Sequence, residues 1–267
     1  MKLIPLPAFQ DNYLWLLHDG QRALVVQPGV AGPVQAYLAE QGLQLVAILV
    51  THHHPDHVGG VDALRDATGA AVFGPARERI PQPYTHLVEG DEVGVLGLRF
   101  HVFDVPGHTA GHVAYYCPAT DGAPVLFCGD TLFSAGCGRL FEGTPAQMLA
   151  SLDKLAALPG ETRVCCTHEY TLGNLKFATA VDPGNVQLVH YRQQCEEMRS
   201  RGEPTLPSTI ALEAGVNPFL RTRQPAVAQA NPKNAGRFRA NIRSVLHGWH
   251  LLFAGREIPA ASTGTLG

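Results

Sequence analysis

The chain has 267 residues, of which 45% are hydrophobic and 16% are charged, and its formal net charge at pH 7 is −3. This length and apolar content allow one large domain, or one with a smaller companion, around a buried core. A charge so close to neutral gives no indication of a protein that binds nucleic acid or membrane surfaces through its overall charge.

The sequence predicts a cytoplasmic protein. The N-terminal apolar stretch is interrupted by Pro5 and Pro7 and lacks the small-residue cleavage site of a secretory signal. No apolar run approaches membrane-spanning length. The six cysteines show no C-x-x-C spacing, which is typical of free thiols in a reducing compartment.

The apolar pattern predicts strands and short helices over residues 1–168 and helices after them. Short apolar runs bounded by turn residues predict strands at Tyr13–Leu17, Leu24–Val26, Leu45–Val50, Ala71–Phe73, Val93–Val95, Leu98–Val105, Val113–Tyr116, Val125–Cys128 and Arg163–Cys166. Capping and stop signals predict helices from Pro33 to Gly42, over Val61–Thr68, from Thr144 to about Leu158, and over Asn185–Arg201. Residues 75–90 are predicted to be loop-like.

This order of elements favours an α/β (α+β) fold. Many strands with helices inserted between them suggest two sheets covered by helices, an αββα sandwich. We expect residues 1–168 to form this domain and residues 169–267 to form a smaller helical domain.

A histidine-rich loop, THHHPDH at residues 51–57, follows the apolar strand Leu45–Val50. Imidazole and carboxylate bind borderline divalent metals such as zinc. Side chains alternate along an extended chain, so His52 and His54 project to the same side, whereas His53 points away. A surface histidine tract is the alternative, but the preceding buried strand and the acid in the motif favour a metal site.

Three later segments also place a metal-binding side chain where a predicted strand ends: His108, Asp130 and His168. With the loop, the candidate ligands are His52, His54, Asp56, His57, His108, Asp130 and His168. One zinc ion takes about four ligands, so this set suits two metals that share Asp130. Candidates for supporting the ligands through hydrogen bonds are Asp11, Asp104, His112 and Glu169.

The segments THHHPDH, PGHTAGH, GD and THEY resemble the metallo-β-lactamase superfamily. Further stretches resemble its glyoxalase II members, the hydroxyacylglutathione hydrolases, over about residues 1–225. They are Ile4-Pro5, Asp11-Asn12-Tyr13, GCGRLFEGT at 136–144, HEYT at 168–171, NLKF at 174–177 and NPFLR at 217–221. The resemblance implies hydrolysis of S-D-lactoylglutathione to D-lactate and glutathione, a step of methylglyoxal degradation.

The resemblance also implies how two divalent metal ions share the ligands. One ion is held by His52, His54 and His108. The other is held by Asp56, His57 and His168. Asp130 and a hydroxide bridge them, which makes Asp130 and Asp56 the catalytic residues, with Asp56 steering the water proton. Zinc is the default metal, and the family also accepts iron and manganese.

For substrate binding the resemblance implies Arg139, Phe141, Tyr170 and Arg243. Phe141 stands where a tyrosine often sits, so that hydroxyl is absent. Arg243 takes the first place of a basic pair whose second place is Leu246. Residues 217–256 carry seven basic side chains and no acid, which suits the two carboxylates of glutathione, although a solvated face or a nucleic-acid footprint would show the same pattern.

Other functions remain open at this point. They are a lactonase, β-lactamase or phosphodiesterase on the same scaffold, an iron-dependent persulfide dioxygenase, and a nucleic-acid binder that uses the basic tail. The GCGRLFEGT stretch and the complete ligand set favour the two-metal thioester hydrolase. We expect it to act as a monomer on a small-molecule glutathione thioester, without nucleic-acid or membrane partners.

Overall fold

The computed structural model describes residues 1–120 and 122–229. Within them, the first sheet has six strands in the order β1 to β6. They are β1 (Lys2–Ala8), β2 (Asn12–His18), β3 (Arg22–Val26), β4 (Gln44–Leu49), β5 (Ala71–Pro75) and β6 (Thr85–Leu87). Strands β1, β2 and β3 pair antiparallel, and β3 to β6 pair in parallel.

The second sheet follows the order β14-β13-β10-β9-β8-β7. Its strands are β7 (Glu92–Val95), β8 (Leu98–Asp104), β9 (Val113–Cys117), β10 (Val125–Gly129), β13 (Arg163–Cys166) and β14 (Ser208–Thr209). Strands β11 (Leu132–Phe133) and β12 (Gly136–Cys137) form a separate small hairpin. Strands β10 and β13 are parallel, so their carboxyl ends meet at one edge of the sandwich.

Eight helices complete the described part of the chain. They are α1 (Gly32–Gln41), α2 (Pro55–Val58), α3 (Val61–Thr68), α4 (Pro145–Ala156), α5 (Thr171–Val181), α6 (Val186–Ser200), α7 (Ile210–Val216) and α8 (Pro225–Gln229). Among the residues described, no helix combines the length and apolar character needed to cross a membrane.

The side-chain alternation of the strands builds two apolar layers. Trp15 of β2 joins Phe100 and Phe127 of the second sheet in the large cluster between the sheets. The neighbouring Leu16 faces the other way and packs in a second cluster with Val34 of α1 and residues of α3. Both faces of the first sheet are therefore covered, and the predicted αββα sandwich is confirmed.

Five strands were not predicted: the two short strands of the β11–β12 hairpin, and β1, β6 and β14. Strand β1 contains Pro5 and Pro7, but it is an edge strand that pairs only with β2, a place where the missing N–H groups are tolerated. The loop predicted at residues 75–90 is wrong at β6, a three-residue edge strand. Strand β14 comes from the segment predicted to be helical, and it extends the second sheet by pairing with β13.

Buried polar contacts attach the C-terminal helices to the sandwich. Glu213 of α7 accepts hydrogen bonds at Oε2 from the Ala135 backbone N–H (2.8 Å) and from Asn217 Nδ2 (3.0 Å). Asn217 also donates to the carbonyl of Gly136 at 2.9 Å. Ala135 has a φ of 53°, a region unfavourable for a residue with a Cβ. Helix α7 thus stabilises the β11–β12 hairpin in a backbone conformation that the hairpin would not readily adopt alone.

Replacing Glu213 by Gln should reduce the loss of stability as the pH rises. Burial raises the pKa of Glu213 above its ordinary value of 4.5, so the folded chain holds this proton more tightly than the unfolded chain. Stability therefore falls as pH rises from the unfolded pKa toward the folded one. Urea unfolding of both proteins at about pH 5 and about pH 7 measures this effect; equal pH slopes would contradict it.

Candidate metal centre

The candidate ligands lie where strands of both sheets end. His52 and His54 follow β4, Asp130 follows β10, and His168 follows β13. Backbone hydrogen bonds close the junction between the sheets, from Tyr13 N to the Thr167 carbonyl at 2.7 Å and from Val113 N to the Thr51 carbonyl at 3.0 Å. The loops that carry the ligands are therefore fixed to one another by main-chain contacts.

The structure brings all seven predicted ligands together. Their side-chain nitrogen and oxygen atoms form three overlapping groups, and within each group the atoms lie within 4.8 Å of one another. The groups are His52, His54 and His108; His52, His57 and Asp130; and Asp56, His57 and His168. His53 belongs to none of these groups and bonds to Glu78.

In the first group, three ring nitrogens converge. His54 Nδ1 lies 3.1 Å from His52 Nε2 and 3.0 Å from His108 Nε2. Each of the latter two rings is fixed through its other nitrogen. His52 Nδ1 contacts the Thr51 hydroxyl at 3.1 Å, and His108 Nδ1 donates to the Arg139 carbonyl at 2.7 Å. These partners direct both Nε2 atoms toward His54.

Asp130, a member of the second group, lies between the first group and the third. Its Oδ2 is 3.5 Å from His108 Nε2 and 3.3 Å from His168 Nε2. Its Oδ1 is 3.5 Å from His57 Nε2, which is also 3.3 Å from Asp56 Oδ2. One carboxylate therefore faces ligands of both outer groups, as a bridging ligand must.

Two atoms of this centre have unused hydrogen-bonding capacity. His57 Nε2 and Asp130 Oδ1 are buried, and although they lie 3.5 Å apart, neither has a partner that meets hydrogen-bond geometry. Leaving such atoms unpaired costs about 1–3 kcal/mol each, and structures rarely tolerate it without a function. A cation coordinated by both atoms removes this cost, so the residues present fit a metal centre.

The protonation states also suit metal binding. Burial lowers the pKa of His52 and His108, and it lowers the pKa of His54 to about 4, which keeps these rings in the neutral form that binds metal. Burial raises the pKa of Asp130, but the charges of His168 and His57 outweigh it and keep the carboxyl ionised.

His168 differs from the first group. Burial lowers its pKa, but the carboxylates of Asp130, Asp11 and Asp56 together more than offset this and raise the pKa to about 10. A metal ion that binds His168 must therefore displace a proton. The ring is oriented by Asp11, whose Oδ1 lies 2.9 Å from Nδ1, so the predicted supporting role of Asp11 agrees with its position.

Of the other predicted supporting residues, His112 contacts a candidate ligand, whereas Asp104 and Glu169 bond elsewhere. His112 accepts a hydrogen bond at Nε2 from the Asp130 backbone N–H (3.2 Å) and stacks on His52. Asp104 instead pairs with Arg77, and none of its hydrogen bonds within the described residues reaches a candidate ligand. Glu169 accepts from the hydroxyls of Tyr13 and Thr205, one layer outside the ligands.

Gln27 is a supporting residue that the sequence did not reveal. It is fully buried at the end of β3, with a φ of 57°. Its Oε1 accepts hydrogen bonds from His57 Nδ1, from the Thr51 hydroxyl at 3.0 Å and from the Thr167 hydroxyl at 2.9 Å. One amide oxygen thus orients a ligand and joins two ligand-bearing loops. A similar contact joins Asn12 Nδ2 to Asp56 Oδ2 at 3.1 Å.

Replacing Gln27 by Ala should lower the free energy of unfolding by roughly 2–5 kcal/mol, because three buried donors lose their common acceptor. The His57 ring also loses its orientation, so metal affinity should fall about 10- to 100-fold. Urea unfolding and chelator competition measure the two effects. Gln35→Ala on the exposed face of α1 is the matched control and should change stability by less than about 0.5 kcal/mol; equal effects of the two changes would contradict the role of Gln27.

Three of the predicted substrate contacts border the centre. Phe141 is 56% exposed, and its ring lies 5.4 Å from that of His54 and 5.3 Å from that of His108, measured between centroids. The Arg139 guanidinium lies 5.1 Å from the Phe141 centroid. Tyr170 stacks on His168 at 4.6 Å. The fourth predicted contact, Arg243, lies outside the described residues, as does Leu246.

Comparison with known protein families shows to which family this chain belongs. The metallo-β-lactamase superfamily model matches residues 9–168, and a model described as the hydroxyacylglutathione hydrolase C-terminus matches residues 169–246. The chain belongs to the hydroxyacylglutathione hydrolases of the metallo-β-lactamase superfamily. The resemblance inferred from the motifs is thereby confirmed.

Individual relatives agree with this assignment. A hydroxyacylglutathione hydrolase of Albidiferax ferrireducens is 66% identical over 86% of this chain and 90% of its own length. A second, from Cupriavidus taiwanensis, is 55% identical over 93% of this chain and 98% of its own length.

Solved structures share the fold. ETHE1 from Myxococcus xanthus gives a TM-score of 0.64 at 25% identity, over 93% of this chain and all of that one. TTHA1623, solved in a di-iron-bound form, gives 0.58 at 30% identity, over 82% of this chain and all of that one.

Proposed function

We propose that this hydrolase converts S-D-lactoylglutathione and water to D-lactate and glutathione at a centre of two divalent metal ions, as a step of methylglyoxal degradation. The observation that carries the proposal is the convergence of seven histidine and aspartate side chains on one carboxylate, Asp130, which faces two groups of ligands. A shared carboxylate between two ligand groups is the arrangement that two-metal hydrolases use.

The ligand groups suggest which residues hold each ion. His52, His54 and His108 would hold the first, Asp56, His57 and His168 the second, and Asp130 both. The orphaned His57 Nε2 and Asp130 Oδ1 support this division. A set rich in imidazole suits zinc, and iron or manganese also accepts imidazole and carboxylate ligands. We propose zinc.

The chemistry then divides between the metals and the protein. A bound pair of divalent ions supplies a Lewis acid for the thioester carbonyl and lowers the pKa of water toward about 7. Asp56 stays ionised, since the His57 and His168 rings beside it together outweigh the effect of burial on its pKa. Held by Asn12 at Oδ2, its carboxylate would orient the attacking water and steer its proton.

The leaving group needs little help from the protein. A thiol has a pKa of about 8.5, so it departs as a thiolate without a separate general acid. Substrate-binding residues have the task of orientation instead. Arg139 offers a cation for a glutathione carboxylate, and the exposed ring of Phe141 offers an apolar face beside His54. We assign supporting contacts to Tyr170 and Arg243.

We further propose that residues 1–168 act as the catalytic domain and residues 169–267 as the substrate-binding domain, in a monomer that works in the cytoplasm without nucleic-acid or membrane partners. The cysteines support a reducing compartment, because all six are free and buried. Burial raises the pKa of the Cys128 and Cys165 thiols, which keeps them unreactive.

One experiment distinguishes thioester hydrolysis from the other hydrolase functions considered above. Hydrolysis of S-D-lactoylglutathione, a lactone, a β-lactam and a phosphodiester is measured on one preparation whose metal content is determined. The proposal predicts rapid turnover of the thioester alone and about two metal ions per chain. Faster turnover of another substrate, or full thioester turnover with a single ion, would contradict it.

A further inference from the structure

Glu78 lies between β5 and β6, outside every group of candidate ligands, and it is one of the most buried acids of the described chain. Its side chain is 1% exposed. One oxygen, Oε2, accepts from the His53 backbone N–H at 3.2 Å and from His53 Nδ1. The other, Oε1, accepts from the Thr109 hydroxyl at 2.7 Å and from the Gly111 N–H at 2.8 Å. The carboxylate is therefore fully used.

These four donors belong to two loops that carry the first ligand group. His53 stands between His52 and His54, and Thr109 directly follows His108. Each oxygen of Glu78 holds one loop, so the carboxylate fixes the separation of the three ring nitrogens that converge on one point.

The other ligand group is oriented by different residues. Gln27 contacts His57, Asn12 contacts Asp56, and Asp11 contacts His168. Glu78 has no contact with these three ligands among its described hydrogen bonds. Its influence should therefore fall on one metal site and leave the other nearly unchanged.

Close packing and a second carboxylate reinforce the junction. A Cβ on Gly111 would lie 2.8 Å from the carbonyl oxygen of Arg77, so the two backbones approach as closely as a glycine permits. Glu142 accepts from the Ala110 N–H at 2.7 Å, and its other oxygen lies 3.7 Å from His53 Nε2. The His53 ring is thus held between two carboxylates.

A carboxylate is the group that this arrangement requires. Two donors approach each oxygen, and glutamine has one acceptor oxygen and an NH₂ group that can only donate. In either orientation of the Glu78→Gln amide, its NH₂ group faces a backbone N–H, that of His53 or that of Gly111, which can only donate. The change keeps the size of the side chain and removes only the acceptor.

We propose that Glu78 is a positioning residue that sets the affinity of the first metal site, the one formed by His52, His54 and His108, by fixing the distance between its two loops. The inference rests on the proposed two-metal centre. Glu78 touches neither metal nor substrate in this role, so its effect should appear in metal binding before it appears in any property of the loaded enzyme.

The test measures zinc affinity by competition with a chromophoric chelator in two backgrounds. His168→Ala leaves the first site, and His54→Ala leaves the second. Glu78→Gln should raise the dissociation constant about 10- to 100-fold in the first background and less than about 3-fold in the second. Equal losses in both backgrounds, or no loss in the first, would overturn the proposal.

Control variants distinguish a loss of ligand positioning from a general loss of stability. Glu213→Gln is the same change at a fully buried glutamate of α7 and should leave both dissociation constants unchanged. If Glu78→Gln does not fold, Thr109→Val removes one of the four donors and should weaken the first site alone by a smaller factor. Glu78→Asp, which keeps the acceptors, should restore part of the affinity. If the unmodified chain binds fewer than about two zinc ions, the proposed function itself fails, and the two failures remain distinguishable.

Discussion

Replacing Asp130 by Ala should remove both metal ions and reduce thioester hydrolysis by a factor on the order of 10³ or more, since a metal pair contributes several kcal/mol to the transition state and each 1.4 kcal/mol is about tenfold in rate. Asp130 faces His108 on one side and His57 and His168 on the other. Its loss therefore opens both ligand groups at once, whereas the loss of one histidine opens one.

The measurement is metal content and kcat/KM on the same preparation. Asp153→Ala is the control. This aspartate of α4 forms a half-exposed ion pair with Arg223, so its loss should leave both quantities unchanged. An Asp130→Ala protein that turned over the thioester at the unmodified rate with two metals bound would refute the bridging role.

Replacing Gly138 by Ala should be nearly as damaging. A Cβ at this position would lie 1.7 Å from the Asp130 carbonyl oxygen and 3.3 Å from His108 Nδ1. Backbone must move to make room, and both displaced residues are candidate ligands. We expect a loss of about 3 kcal/mol or more in unfolding free energy, together with reduced metal content.

Gly94→Ala in β7 provides the matched control, since a Cβ there meets nothing within 4 Å. It should change the unfolding free energy by less than about 1 kcal/mol. Urea unfolding of both variants, followed by metal analysis, measures the difference. Similar stability and metal content in the two variants would show that the loop at residues 138–143 has room that the structure does not indicate.

The sequence could predict the candidate ligands because they lie in the short segments that come after predicted strands. The apolar run Leu45–Val50 and the strands before Asp130 and His168 gave both the fold and the edge at which these side chains meet. Strand ends are local features, and a short apolar run followed by histidine or aspartate is visible without any tertiary information. The number of ligands indicated two metals, and the assignment of ligands to each metal came from the family resemblance.

The supporting residues could not be predicted because tertiary contacts create their roles. Glu78 lies between Arg77 and Arg79 in a stretch without periodicity, which is typical of an exposed loop, yet it is buried by two loops from elsewhere in the chain. Gln27 ends an apolar strand, and nothing local shows that Thr51 and Thr167 converge on it. Strand β14 was missed for the same reason, since only its partner β13 makes its two residues a strand.

The most direct test is anomalous diffraction from crystals of the metal-loaded protein, recorded at the absorption edge of the metal. Two peaks about 3.5–4 Å apart are expected. One should lie within bonding distance of His52, His54 and His108 and the other within bonding distance of Asp56, His57 and His168, with the carboxylate of Asp130 between them. A single peak, or a pair of peaks that Asp130 does not join, would contradict the two-metal centre.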